Sequence, residues 1–509
     1  MKQNLALEIM LSGENVFLTG AAGSGKTFTL NQFIRFAKNE GKKVSVTATT
    51  GLAATHLGGN TIHAWSGIGI NDYLPNKFVE RLSKARAEII KSTDILIIDE
   101  ISMLHDFRLD LIDQICRTVR QNFEKPFGGI QVIFSGDFFQ LPPINRAGGR
   151  EGGFAVHSDV WREMKPIICY LDENYRQNDD DLTEILNAMR SDDLRRRHAE
   201  KLLARIDEKP ENAENLTELH TTNLDVDSIN LEKLELLEGE EFFFAQSTTG
   251  AKNYVSTLQK SVLAPEILRL KRGALVMAVK NAQNRQYVNG SIGEVIDFEG
   301  GTEYPIVKFQ NGRTVVMVPE TWEMRDGDKK RASISQIPLR LAYAITVHKS
   351  QGMTLDSARI DLRKAFAPGM GYVALSRVRS LSQIYLAGIN KTALRMSEEA
   401  QNIDEYLRKQ SSKAEQDFSF LTDNFEKRQI SANLSKNENA KSKWAERLEK
   451  MRENYPNAYK PWRSQDDADL KQGFLQGESL EELSQKLGRH QNSIKIRLKK
   501  HFGEDFIEL

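Results

Sequence analysis

The run GAAGSGKT at residues 20–27 follows a short apolar stretch, VFLT at 16–19, and opens into a helix-forming segment. A glycine-rich turn between a buried strand and a helix N-terminus points several backbone N–H groups at one spot, where the helix dipole adds its positive end. Such a loop cradles phosphate oxygens, and it commits the chain to a sheet with helices on its faces. Lys26 is placed to neutralise β- and γ-phosphates and Thr27 to hold Mg²⁺ through its hydroxyl, so ATP and Mg²⁺ are the expected ligands. The candidate nucleotide contacts of this segment are Gly20, Ala22, Gly23, Ser24, Gly25, Lys26, Thr27 and Phe28.

Two further strands end in polar groups suited to the same chemistry. ILIIDE at 95–100 is apolar until it reaches two adjacent acids, which are costly at the end of a buried strand unless a cation compensates them. Asp99 suits a Mg²⁺ contact and Glu100 the activation of a water. VIFS at 132–135 runs into GDFFQLPP, where the Gln140 amide is placed to hydrogen-bond a γ-phosphate or that water. Residues 15–19, 43–47, 95–98 and 131–135 read as strands, and 31–38 and 109–122 as helices. This alternation predicts a parallel sheet covered on both faces.

Together these segments resemble the Pif-type group (petite integration frequency) of superfamily-one 5′-to-3′ DNA helicases. The most specific stretch runs from 98 to 144, beginning IDEISMLHDFRLDLIDQ and ending GDFFQLPPI. Further matches are TGLAA at 50–54, GNTIH at 59–63, LDENYRQ at 171–177, YVNG at 287–290, AITVHKSQGMT at 344–354 and YVALSRVR at 372–379. The resemblance covers about residues 1–390 and implies an α/β fold of two RecA-like domains. The first is expected at 1–175, with a wedge-like insertion at about 67–92 that reads equally as an exposed basic helix. The second is expected at 176–400, with a small SH3-like β-barrel insert at about 285–336, where Asn311-Gly312 is a hairpin signal.

The resemblance also assigns residues. Gln3 matches an adenine-reading glutamine, Arg176 and Arg377 match arginines presented to the γ-phosphate, and Gln351 and Gly352 line the same cleft. Arg363 and Arg379 are neighbouring cations that the VALSR match passes over in favour of Arg377. The catalytic set is thus Lys26, Glu100, Gln140, Arg176 and Arg377. Single-stranded DNA is expected across Thr50, His63 and Trp65 on the first domain and Thr346, His348, Lys349 and Ser350 on the second. Trp65 reads either as a base-stacking platform or as packing.

Residues 401–458 are expected to be a polar, partly helical linker. Residues 459–509 look like a Myb- or SANT-type helix-turn-helix, with helix starts at Ser464 and Ser479 and ends at Gly477 and Gly488. Its expected core is Trp462, Leu470, Phe474, Leu480, Leu483, Leu487, Ile494 and Leu498. Arg489, Lys495 and Arg497 are candidate DNA contacts, with a protein-docking unit as the other reading.

Lys+Arg and Asp+Glu both number 70 in 509 residues, which excludes a uniformly basic polyanion-coating protein but allows a local basic groove. The chain has two cysteines, Cys116 and Cys169, each in an apolar setting, so a disulfide framework is not expected and a cytoplasmic location is, with nucleoid association in a bacterium. No membrane span or leader is read, and a monomer is expected. The function read from all this is ATP-dependent unwinding of single-strand-tailed, forked or structured DNA in repair, replication or recombination. Two alternatives stay open: a single-strand translocase or RNA–DNA hybrid remodeller, and a DNA-bound adaptor with a vestigial motor.

Overall fold

A computed structural model describes residues 1–69, 71–145, 148–173, 179–206, 208, 216–259, 262–280, 282, 286–287, 289–326, 329–422, 424 and 449–503. The chain divides into two bodies, Met1–Thr422 and Asp423–Leu509. No helix among the described residues is long and apolar enough to cross a membrane.

The first lobe is a six-stranded parallel sheet. Its strands are β1 (Val16–Gly20), β2 (Val44–Ala48), β3 (Asn60–Thr61), β4 (Ile95–Asp99), β5 (Gln131–Ser135) and β6 (Ile167–Leu171), in the spatial order β3-β2-β4-β5-β1-β6. Register follows the apolar runs: Ile97 lies opposite both Val46 and Ile133, and Phe17 opposite Phe134. Every residue of β1 is buried, as a central strand covered on both faces requires. Helices α1 (Gln3–Leu11) and α2 (Lys26–Asn39) flank it, and α2 turns Thr29, Leu30, Phe33 and Ala37 inward. Cys116 and Cys169 are buried, and burial pushes both thiols upward, Cys169 to about 12, so both behave as small apolar residues.

The second lobe carries a four-stranded parallel sheet ordered Ala344–Thr346, Glu218–His220, Ala358–Leu362 and Ile384–Ile389. The two lobes are RecA-like, as expected. The β-rich insert is larger than the expected 285–336. Its five-stranded antiparallel sheet begins at Leu275–Ala278 and closes with Leu339–Leu341, and Ser247–Gly250 pairs with Lys329–Gln336 in a second sheet. Leu275–Ala278 is a short apolar run, fully buried, that looks like an α/β core strand when read along the chain. The hairpin signal is correct: Pro305–Phe309 pairs with Thr314–Val316 around Gly312, whose φ of 82° suits glycine.

Helix Glu398–Asp417 runs into the stretch 401–458 expected to be a polar linker but belongs to the motor. Ile403 and Leu407 join the first-lobe core, and Ser411 Oγ accepts a hydrogen bond from the Tyr170 N–H of edge strand β6 (3.0 Å). The helix thereby covers a sheet edge that would otherwise be open to pairing.

The second body holds helices Ser464–Leu475, Leu480–Leu487 and Gln491–Phe502. Leu470, Leu483, Leu487, Ile494 and Leu498 form its core, with Trp462, Phe474 and Leu480 against them, the eight residues expected. Ser479 caps its helix and receives Glu482 in return, while Gly488 ends that helix at a φ of 59°. The first helix is entered through Arg463, whose N–H is bound by Asp466, one residue before the expected Ser464.

Two DNA-contact expectations are corrected in this body. Arg489 is 3% exposed and donates to the Lys460 and Pro461 carbonyls and to Asp466. Arg497 forms a two-pronged pair with Asp467 (2.7 and 2.6 Å). Their guanidinium carbons lie 4.3 and 5.2 Å from the Trp462 ring centroid. Both arginines therefore hold the three helices together. Lys495 stays half-exposed on the last helix.

Candidate nucleotide site between the lobes

The phosphate loop is built on glycines that no other residue replaces cheaply. Gly20 has a φ of 144°, and a Cβ there would come 2.5 Å from the Leu171 carbonyl oxygen. Gly23 and Gly25 follow at 90° and 86°, turning the chain into α2. Lys26 Nζ donates to the Gly20 and Ala21 carbonyls (2.8 and 3.0 Å), which holds its ammonium over the loop. Gln3, on the first turn of α1, donates from Nε2 to the Ser24 carbonyl (3.0 Å) and so stands beside the same loop. The Phe28 side chain is 58% exposed on α2 and lies outside the cleft lining.

The loop faces a cleft of 480 Å³. Ala22, Gly23, Gly25, Lys26, Thr27, Glu100 and Gln140 line it from the first lobe, and Gly352, Thr354, Arg377 and Arg379 from the second. Asp99 and Glu100 end β4 as expected. Burial, then the charge of Glu100, pushes the Asp99 carboxyl up to about 7, against the opposing pull of the Ser135 hydroxyl and Lys26. An enclosed acid pair so short of positive charge is the donor set a divalent cation satisfies, and the Thr27 hydroxyl lies on the same cleft wall. Glu100 takes a left-handed φ of 53°, and the Thr49 hydroxyl donates to its carbonyl (2.9 Å). Gln140 is 6% exposed, and its Oε1 has no hydrogen-bond partner among the described residues.

The second lobe reaches the same acids. Gln351 Nε2 donates to Glu100 Oε2 (3.0 Å) across 251 residues of sequence. Arg377 is 1% exposed, and its guanidinium donates to the Val373 carbonyl (2.8 Å), the Ser376 hydroxyl (2.8 Å) and the Met353 carbonyl (3.4 Å). Arg379 is exposed on the same wall, whereas Arg363 is tied to Asp361. Arg176 lies outside the described residues.

The strand-contact candidates divide. His63, His348 and Lys349 are half-exposed. Burial, then the charge of Arg340, lowers the Lys349 ammonium. Phe366, 64% exposed, lies 6.2 Å from the His348 ring and nearly parallel to it, an aromatic that no motif marked. Thr50 and Thr346 use their hydroxyls as helix caps, accepting from Ala53 and Lys349 N–H groups. Ser350 is fully buried, its hydroxyl given to the Val347 carbonyl. Trp65 is 7% exposed within the first-lobe core, so its stacking role is withdrawn in favour of packing.

A strand-loop-helix phosphate cradle, acids on the neighbouring strand and an arginine from a second parallel-sheet lobe define a two-lobed P-loop motor ATPase. A profile of PIF1-like helicases matches residues 3–194. The ATP-dependent DNA helicase Pif1 of Psychrobacter sp. (strain PRwf-1) is 40% identical over 478 residues, which cover 82% of this chain and 72% of that protein. The crystal structure of the Candida albicans Pif1 helicase aligns with a TM-score of 0.70 at 34% identity, over 80% of this chain and 98% of that one. That of Bacteroides Pif1 in complex with ADP-AlF3 and single-stranded DNA aligns at 0.61 and 32%, over 79% and 96%. The chain belongs to the PIF1-like helicase family.

Proposed function

We propose that this helicase hydrolyses ATP between its two lobes to move 5′ to 3′ along single-stranded DNA and unwind the duplex ahead. The observation that carries this reading is the shared cleft, in which Lys26, Glu100 and Gln140 face Arg377 from the opposite lobe. The loop N–H groups and Lys26 bind and orient the triphosphate, and Gln3 is positioned to read the adenine edge. Thr27 and Asp99 would hold Mg²⁺, which when bound would supply charge neutralisation to the triphosphate. Glu100 accepts the proton of the attacking water, with Gln140 aligning that water through its amide. Arg377, and Arg176 by its motif, stabilise charge on the γ-phosphoryl oxygens, and they do so only when the lobes are closed.

Hydrolysis is therefore coupled to the position of the second lobe. His63 on one lobe and His348 and Lys349 on the other supply alternating grips on the strand. The Bacteroides relative crystallised with single-stranded DNA supports this partner. The C-terminal three-helix body, through Lys495, is an anchor for forked or structured DNA or a dock for a protein. The helicase is read as a monomer acting in DNA repair, replication or recombination, and its buried, unpaired thiols support a reducing compartment such as the cytoplasm.

Strand displacement on tailed duplexes tests the reading. With Mg²⁺ and ATP, a 5′-tailed duplex is expected to open at least about tenfold faster than a 3′-tailed one. Equal rates, or preference for the 3′ tail, would remove the polarity, and no displacement of either would remove the unwinding.

A further inference from the structure

The two lobes meet a second time behind the nucleotide cleft, at a side-chain cluster that the mechanism above leaves unused. Arg190 ends second-lobe helix Asp180–Arg190, and its side chain is 5% exposed. Its Nη1 donates to Asp137 Oδ2 (2.7 Å) and the Tyr372 hydroxyl (2.9 Å). Its Nη2 donates to the Tyr170 hydroxyl (2.7 Å) and Asp404 Oδ1 (3.1 Å). The guanidinium carbon stands 4.2 Å from the centroid of the Phe139 ring. Asp137, Phe139 and Tyr170 belong to the first lobe, and Asp404 to the helix that covers β6.

Charge is balanced inside this cluster. Arg190 and Arg408 face Asp137 and Asp404, with Arg408 donating to Asp404 Oδ2 (2.7 Å) and to the Tyr170 hydroxyl (2.7 Å). A buried ion pair of this kind is a poor source of net stability, because desolvation offsets its attraction. Its use lies in fixing geometry, since each donor accepts few alternative arrangements.

The cluster sits one turn from catalytic groups on both sides. Tyr372 O–H accepts from the Ala22 N–H of the phosphate loop (3.1 Å) and donates to Asp137 Oδ2 (3.3 Å). Gln140 N–H in turn donates to the Asp137 carbonyl (2.9 Å). On the second lobe, Arg377 follows Tyr372 by five residues and bonds back to the carbonyl of Val373. The backbones are close here as well, since a Cβ on Gly369 would lie 3.0 Å from the Phe139 carbonyl oxygen.

We propose that Arg190 and the Tyr372 hydroxyl are the pin between the lobes, positioning residues that hold the phosphate loop and the Gln140 turn in register with the segment carrying Arg377. The pin acts through Arg377 and touches no reacting atom, and the proposal rests on the reading of Arg377 as the arginine that completes the site. As the second lobe turns, a fixed point at Tyr372 converts rotation into a defined placement of the guanidinium.

Single-turnover hydrolysis with saturating single-stranded DNA, on the full chain, tests this. Tyr372→Phe keeps the ring and removes the three hydroxyl bonds, those with the Ala22 N–H, Arg190 and Asp137. It should lower the hydrolysis rate about tenfold, the effect of about 1.4 kcal/mol, with KM for ATP changed less than about threefold. Arg190→Gln should lower it further, and a melting curve reports how much of that loss is unfolding. In an Arg377→Ala background, adding Tyr372→Phe should change the remaining rate less than about twofold, because the group the pin positions is gone. Parental hydrolysis by Tyr372→Phe overturns the pin, as does a full multiplication of the two losses. Parental hydrolysis by Arg377→Ala alone overturns the underlying reading of the site instead, and the pin with it.

Discussion

Lys26→Ala is expected to abolish ATP hydrolysis, with and without single-stranded DNA. The ammonium sits at the start of α2, bonded to the Gly20 and Ala21 carbonyls, so it is held over the loop before any phosphate arrives. In that position it offsets negative charge that grows on the γ-phosphoryl group during bond breaking. Removing one such preorganised donor from an enclosed site costs on the order of 10²–10³ in rate. Loss of ground-state phosphate binding adds to this. The fold should survive, because the two carbonyls released are on a loop at the cleft and can turn to water. Phosphate release at saturating DNA is the measurement, with a melting curve as the control. A folded variant within about threefold of parental turnover would show that the cleft is not the hydrolytic site.

Arg377→Ala has the second large effect, a fall of on the order of 10³ or more in turnover with nucleotide affinity changed only a few-fold. The separation of the two quantities matters, because a group that acts on the transition state lowers the rate without weakening binding. The structure adds a cost of its own. The Arg377 guanidinium serves the carbonyls of Val373 and Met353, and its loss leaves buried acceptors short of a donor, about 1–3 kcal/mol of stability. Arg377→Lys controls for charge: a point cation cannot reproduce the planar fork and is expected to remain slow. Arg379 is the competing finger, exposed on the same wall. A large loss in Arg379→Ala with little in Arg377→Ala would move the role two residues on.

What could be read along the chain was whatever local pattern controls. The phosphate loop needs only strand, glycines and helix in succession. The C-terminal core follows from helical spacing between Leu470 and Leu498, and the hairpin from Asn311-Gly312. What could not be read depends on distant partners. Arg489 and Arg497 look like a free basic face until Asp466 and Asp467, 23 and 30 residues away, fold against them. Trp65 lies two residues before Gly67 in a mixed stretch, TIHAWSG, yet the short helix Ile62–Ser66 rotates it inward. Helix Glu398–Asp417 buries only a narrow stripe of Ala400, Ile403, Leu407, Ser411 and Ala414, too sparse to separate from a solvated linker. The Gln351–Glu100 bond and the Arg190 cluster join motifs across the lobes, so no single segment announces them.

The central claim is that one chain supplies both walls of the hydrolytic cleft. Mixing the Lys26→Ala and Arg377→Ala variants tests it directly, because a wall borrowed from a second copy would assemble one intact site per mixed pair. At equal concentrations, with Mg²⁺-ATP and saturating single-stranded DNA, turnover is expected to stay at the sum of the two separate variants. Recovery toward a quarter or more of the parental rate would place Lys26 and Arg377 in sites completed between chains and contradict the account.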